Sequence, residues 1–233
     1  MNYDRREHVL RTVDQVVKKL SLQVEASLDR QVTELDLLPR DLRAIANLLG
    51  LKVKSVDEDE LDSGRAPETL GAFDRERKEI LIATGKLHTR QRFTLAHELG
   101  HYLLHNQLVS FREDFASNET GDNHLKPEIE QEADLFAAEL VMPTQPVRRV
   151  FVTNFDSPID GAAASDDIAY FLSQRPHRKF SASEIVRLGP LGRAKLFARI
   201  GSYAGVPFKP MCEVFDVSVQ AMANRLIDLG LVK

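Results

Sequence analysis

The stretch FTLAHELGHYLLH, residues 93–105, is what most narrows the folds open to this chain of 233 residues. It places three histidines and a glutamate among Phe93, Leu95, Ala96, Leu99, Leu103 and Leu104. Apolar residues at that spacing predict a buried helix over about residues 90–106. Unpaired imidazoles and a carboxylate are costly on such a helix, so something must use them. The bland use is a core helix whose histidines are satisfied by neighbouring carbonyls. The sharper use follows from geometry: residues four apart stand on one face, so His97 and His101 turn two rings toward one point.

Two imidazoles at that separation suit one tetrahedral zinc ion. Glu98, next to the first of them, cannot aim straight at the same ion but can reach a water beside it. This is the HExxH pattern of zinc hydrolases, with two ligands and a general base. His105 lies two turns from His97, roughly 12 Å by helical rise, too far to share the ion. It is expected at the surface or beside a ligand. The longer HExxHxxGxxH continuation is absent, because Leu104 and Gln107 stand where it requires Gly and His.

A third ligand is expected from PEIEQEADLFAAELVM, residues 127–142, where Pro127 suits a helix start and Pro143 a stop. Glu128, Glu130 and Glu132 crowd its first turns. Glu130 lines up with Ala133, Asp134 and Ala137, small residues that let two helices approach closely. It is the preferred ligand, with Glu132 and then Glu128 as alternatives; acids at a helix start are also favoured simply by the helix dipole. Asp134, one turn on, can accept the ring N–H of a ligand histidine. Two His, one Glu and an open fourth position describe a catalytic zinc site, and amide hydrolysis is the reaction class that follows. For the oxyanion, Tyr102, Tyr170, Tyr203 and His124 are all available, though Tyr102 points away from the ligand face of its helix.

Around these segments the expected organisation is a helix over 4–35, a helix over 38–50 with Pro39 in its first turn and Gly50 ending it, and a strand over 51–56. A hairpin over 70–83 follows, then the two helices above, separated by a polar loop over 114–126. Residues 155–167, FDSPIDGAAASDD, have linker-like composition, and the remainder is mostly helical. The domains read as a helical extension (1–37), a metal-binding α+β domain (38–150) and a helical C-terminal region (151–233).

With RFTLAHELGHYLLH (92–105) and EQEADLFAAELVMP (130–143) both in view, the chain resembles the ImmA/IrrE family of metallopeptidases. The likeness covers roughly residues 40–145 and, more loosely, the ending VSVQAMANRLIDLGLV. It implies an α+β zincin-like domain of minimal gluzincin type, with a small β-sheet and an active-site helix. It also implies a zinc endopeptidase whose substrate is a DNA-binding repressor protein, and hence a part in transcription regulation. Asp134 stands where the family often has Asn; both accept a hydrogen bond from an imidazole.

The rival reading is a DNA-binding or sensing regulator whose zinc site is not proteolytic. FDVSVQAMANRLIDLGLV has the outline of a helix-turn-helix, with Ser218 as N-cap. Its second helix carries Gln220, Asn224 and Arg225 but also Asp228, short of the basic face a DNA reader needs, so a packing role is favoured. Net charge is −4 overall; residues 151–233 stand near +2 and residues 1–150 near −6. Neither value argues for nucleic acid or an anionic membrane as the main partner. Cys212 is the lone cysteine and reads as a small buried hydrophobe. The start lacks the apolar core of a signal peptide and no run is long enough to span a bilayer, so the cytoplasm is the expected compartment.

Overall fold

The computed structural model describes residues 3–27, 41–57, 61, 70–105, 127–160, 165–174 and 179–233. In chain order the elements are α1 (Tyr3–Ser27), α2 (Leu42–Leu48), β1 (Lys52–Val56), β2 (Gly71–Asp74), β3 (Glu79–Ala83), α3 (His88–Leu104) and α4 (Glu128–Val141). Then follow α5 (Thr144–Phe155), α6 (Ser165–Leu172), α7 (Ala182–Arg187), α8 (Gly189–Arg199), β4 (Ser202–Tyr203), β5 (Val206–Pro207), α9 (Met211–Val214) and α10 (Val219–Asp228). The chain divides into two units, Met1–Val141 and Met142–Lys233. This boundary lies between α4 and α5, earlier than residue 150, and the N-terminal helix belongs to the first unit. The architecture is mixed α+β.

In the first unit the sheet order is β1-β3-β2. EILIA is nearly continuous in apolar residues, and β3 accordingly takes the central place, buried at four of its five positions. β2 pairs with it antiparallel, Phe73 opposite Ile80, as the hairpin pattern predicts. β1 pairs with β3 in parallel, Val53 opposite Ile80. Glu79 is buried at the start of β3, and Lys54 of β1 donates to its Oε2 at 2.8 Å.

Helix α2 begins later than residue 38. The Asp41 carboxylate caps it, accepting from the N–H groups of Arg43 and Ala44 at 2.9 and 3.1 Å. Gly50 ends it at φ +74°, a left-handed residue, while Leu51 N–H returns to the Ala46 carbonyl. Pro39 and the loop expected over 114–126 lie outside the described residues. Helix α1 is seen to Ser27, and Val9, Val13 and Val16 form its buried stripe. That stripe packs α1 against α4.

The second unit contains a helix the sequence reading passed over. Pro143 ends α4 but also stands as the N-cap residue of α5, and Pro146 occupies the first turn, where no backbone hydrogen bond is lost. Phe155 at the end of α5 meets the rings of Phe151, Phe197, Tyr203 and Phe208, forming an aromatic core. Residues 155–160 are tied down: Ile159 is buried and bridges to Val232. At the C-terminus α9 and α10 are broken where expected, with Ser218 Oγ accepting from Ala221 N–H at 3.1 Å. Arg225, the one basic side chain of α10, is turned inward. It is 2% exposed and donates to the Met142 carbonyl at 3.0 Å and to Thr144 Oγ1 at 2.9 Å. Gln220 and Asn224 bond to each other. No described helix is long and apolar enough to cross a membrane.

Candidate metal centre

The centre is built where α3 crosses α4, and Gly100 makes the crossing close. A Cβ at that position would stand 3.2 Å from Ala133 Cα and from Phe136 Cβ, so the α3 backbone lies against α4 itself. Ala133 and Phe136 are fully buried at this contact. The approach carries Glu130, one turn before Ala133, up to the His97 and His101 rings.

Three donor groups converge there. Nε2 of His97 lies 3.2 Å from Glu130 Oε2, and Nε2 of His101 lies 3.1 Å from Glu130 Oε1. The two Nε2 atoms are 2.9 Å apart. One ligand atom from each residue lies within 4.8 Å of the others. A tetrahedral zinc with bonds near 2.0–2.1 Å needs donor separations of about 3.3 Å, so a small outward shift of the rings would admit such an ion. The donor set fits: two imidazole nitrogens and a carboxylate, all mostly shielded from solvent.

The remaining ring nitrogens are occupied. His97 Nδ1 is 3.0 Å from Asp134 Oδ1, and a carboxylate there fixes the N–H on Nδ1 and leaves the Nε2 lone pair for a metal. His101 Nδ1 lies 3.1 Å from His105 Nδ1. His105 Nε2 in turn lies 3.0 Å from Glu132 Oε2. Glu132 thus faces His105, and Glu128 pairs with Arg5 of α1. Of the three acids weighed as ligands, only Glu130 meets both imidazoles.

Electrostatics reflect this crowding. Burial opposes a charge on His97, but hydrogen bonds to Asp134 and Glu130 and the field of Glu98 outweigh it and push its pKa up to about 10. Burial likewise opposes charge on Glu130, yet the hydrogen bonds and charges of His101 and His97 hold its carboxyl well below the usual range. Burial lowers the pKa of His105, against the raising effect of Glu132.

Glu98 sits on the flank of α3 that faces β2. A Cβ at Gly71 would come within 3.3 Å of Glu98 Cγ and Oε1 and 2.5 Å of Thr94 Cγ2, so only glycine lets β2 run this close to the helix. Tyr102 stacks edge-on against Phe73 of β2, 5.3 Å between centroids. Arg75 in the hairpin turn bonds to the His105 carbonyl and closes the end of α3. Tyr170 and Tyr203 belong to the second unit, and His124 lies outside the described residues. Gly71, Gly100 and Arg5 carry no motif that marks them as parts of the site. A glycine inside the HExxH span was the one available signal, since glycine in a helix interior needs a packing reason.

A helix pair that brings two histidines and a glutamate together, with an acid beside the first histidine and a strand laid along its flank, has the layout of a metallopeptidase centre. Residues 59–157 match the family described as the IrrE N-terminal-like domain, Peptidase_M78. An 81-residue stretch is 38% identical to the metallopeptidase ImmA of Bacillus subtilis (strain 168). That match covers 35% of this chain and 44% of the relative, so the chain spans less than half of the curated protein it resembles. Over residues 59–157 the chain is therefore similar to the ImmA/IrrE metallopeptidases.

Proposed function

We propose that the chain is a zinc-dependent endopeptidase of zincin-like fold. His97, His101 and Glu130 are the metal ligands, Glu98 is the catalytic base, and the substrate is a regulatory protein of the DNA-binding repressor type. The observation that carries this reading is the meeting of both Nε2 atoms with the Glu130 carboxylate, with Glu98 the residue next to His97. Zinc held there would polarise the scissile carbonyl and acidify a water.

The chain's own residues do the rest. Asp134 keeps the proton of His97 on Nδ1, so Nε2 offers its lone pair. Glu130 stays ionised and lowers the positive charge of the loaded site. Glu98 accepts a proton from the attacking water and delivers it to the leaving amine. β2 pairs with a strand on one side among the described residues, and its first residue lies over Glu98. A substrate segment adding along its other edge would bring the scissile bond to that carboxylate.

The repressor-type substrate rests on the family resemblance and on the relative's name. The inward turn of Arg225 counts against the rival reading of α10 as a DNA-reading helix. Metal analysis and peptide-library cleavage of wild type, His101→Ala and Glu98→Gln test the proposal. Expected are one zinc per chain in wild type, loss of zinc in the first variant, and zinc without cleavage in the second. Full zinc affinity in His101→Ala would refute the ligand set. Undiminished cleavage by Glu98→Gln would refute the base.

A further inference from the structure

One feature of the centre reaches beyond the matched domain. Arg5 of α1 lies 127 positions from Glu132 in sequence, yet its Nη1 is 3.3 Å from Glu132 Oε1. The other oxygen of that carboxylate, Oε2, is 3.0 Å from His105 Nε2. Glu132 is 8% exposed, too buried to carry charge without partners on both sides. His105 Nδ1 then meets His101 Nδ1 at 3.1 Å. Helix α1 ends before residue 59, where the family match starts.

The hydrogen-bond directions follow from this placement. Two ring nitrogens in contact need one donor and one acceptor. A His101 ring that offers its Nε2 lone pair must carry its proton on Nδ1, so it donates to His105. The accepting Nδ1 of His105 puts that ring's proton on Nε2, which donates to Glu132. Arg5 supplies the cation that holds the carboxylate in place.

We propose that His105, Glu132 and Arg5 are positioning residues. Together they fix the tautomer and ring angle of His101, so that helix α1 sets how tightly the centre holds its metal. The inference rests on His101 being a metal ligand. Asp134 does the same service for His97 from within the helix pair; on the His101 side the contacts run on through His105 and Glu132 to Arg5, outside it. Displacing α1 therefore loosens one ligand and leaves the other held.

The test is zinc affinity of the full chain, measured by competition with a chromophoric chelator, beside the thermal stability of the apoprotein. His105→Ala and Glu132→Ala lower affinity by about 10- to 100-fold at unchanged stoichiometry, the usual cost of removing a partner of a ligand histidine. Glu132→Gln, which still accepts from His105, restores most of the loss; a merely structural role would not depend on the acceptor. Arg5→Ala, at an exposed position, lowers affinity about two- to five-fold, the scale of one surface ion pair. In the His105→Ala background that effect disappears, because the link to His101 is already cut.

Wild-type affinity in His105→Ala, or Arg5 and His105 effects that simply add, would overturn the inference. If His105→Ala does not fold, Arg5→Ala and Glu132→Gln against Glu132→Ala decide it. Failure of the parent reading looks different: wild type then binds no stoichiometric zinc, or His101→Ala binds it undiminished.

Discussion

His97 Nδ1 and Asp134 Oδ1 stand 3.0 Å apart across two helices, with the opposite nitrogen of the same ring aimed at Glu130. A side chain one turn beyond Glu130 thus holds the His97 ring. Asp134→Ala lowers zinc affinity by about 10- to 100-fold. Asp134→Asn, whose side-chain oxygen still accepts, stays within a few-fold of wild type. Chelator competition measures both. Equal loss in the two variants would mean that charge, and not acceptance of the ring proton, is what matters there.

With His97 as a ligand, as proposed, zinc uptake is coupled to pH through the same ring. With the metal absent, Asp134, Glu130 and Glu98 together raise the pKa of His97 to about 10 despite its burial, so it carries a proton at neutral pH. A metal needs that nitrogen bare. Binding at pH 7 therefore releases a proton from His97, and apparent affinity rises about tenfold per pH unit across pH 7–9 from this group alone. Calorimetry in buffers of different ionisation enthalpy reads the proton directly. The apoprotein shows the opposite trend. A raised pKa gives stability that is fully present below about pH 6.5 and is lost as pH climbs toward 10, so apoprotein stability falls over that interval.

Gly71 is where β2 leans on α3. An added Cβ would stand 2.5 Å from Thr94 Cγ2 and 3.3 Å from the Glu98 carboxylate. Gly71→Ala pushes the strand and Glu98 apart. Cleavage should fall at least tenfold while zinc stoichiometry holds, because no ligand touches Gly71. Pairing it with Thr94→Ser, which removes the nearest atom, should recover part of the activity; no recovery would place the cause elsewhere.

Arg225 is a structural residue on this account. Its guanidinium is buried and bonded to the Met142 carbonyl and Thr144 Oγ1 at the start of the second unit. Arg225→Ala strands both acceptors and should cost roughly 2–4 kcal/mol by chemical denaturation. Affinity for duplex DNA should not change, since that side chain is not presented to solvent. Salt-dependent DNA binding lost in this variant would revive the reading of α10 as a recognition helix.

Much of the site geometry was legible in the sequence because it depends on helical periodicity. Four-residue spacing puts His97 and His101 on one face, and the small residues after Glu130 mark where another helix can close in. The hairpin over 70–83 is legible, but not that its second strand, EILIA, takes the centre of the sheet. What was hidden depends on contacts between distant parts of the chain. Alternation in LKVKSV indicates a strand but not that it runs parallel to β3. Glu132 reads as an alternative ligand at its helix start, yet nothing local reveals that Arg5 and His105 share its two oxygens. Pro143 and Pro146 look like breakers until Pro143 is seen to start a helix as well as end one. His105 was expected at the surface or beside a ligand, and it lies beside His101.

Anomalous diffraction at the zinc edge from crystals of the zinc-loaded chain measures most directly where the ion sits. The predicted map has one strong peak in the first unit, within about 2.0–2.2 Å of Nε2 of His97, Nε2 of His101 and a carboxylate oxygen of Glu130. A peak held by Glu132 or His105, or none between the two helices, would contradict it.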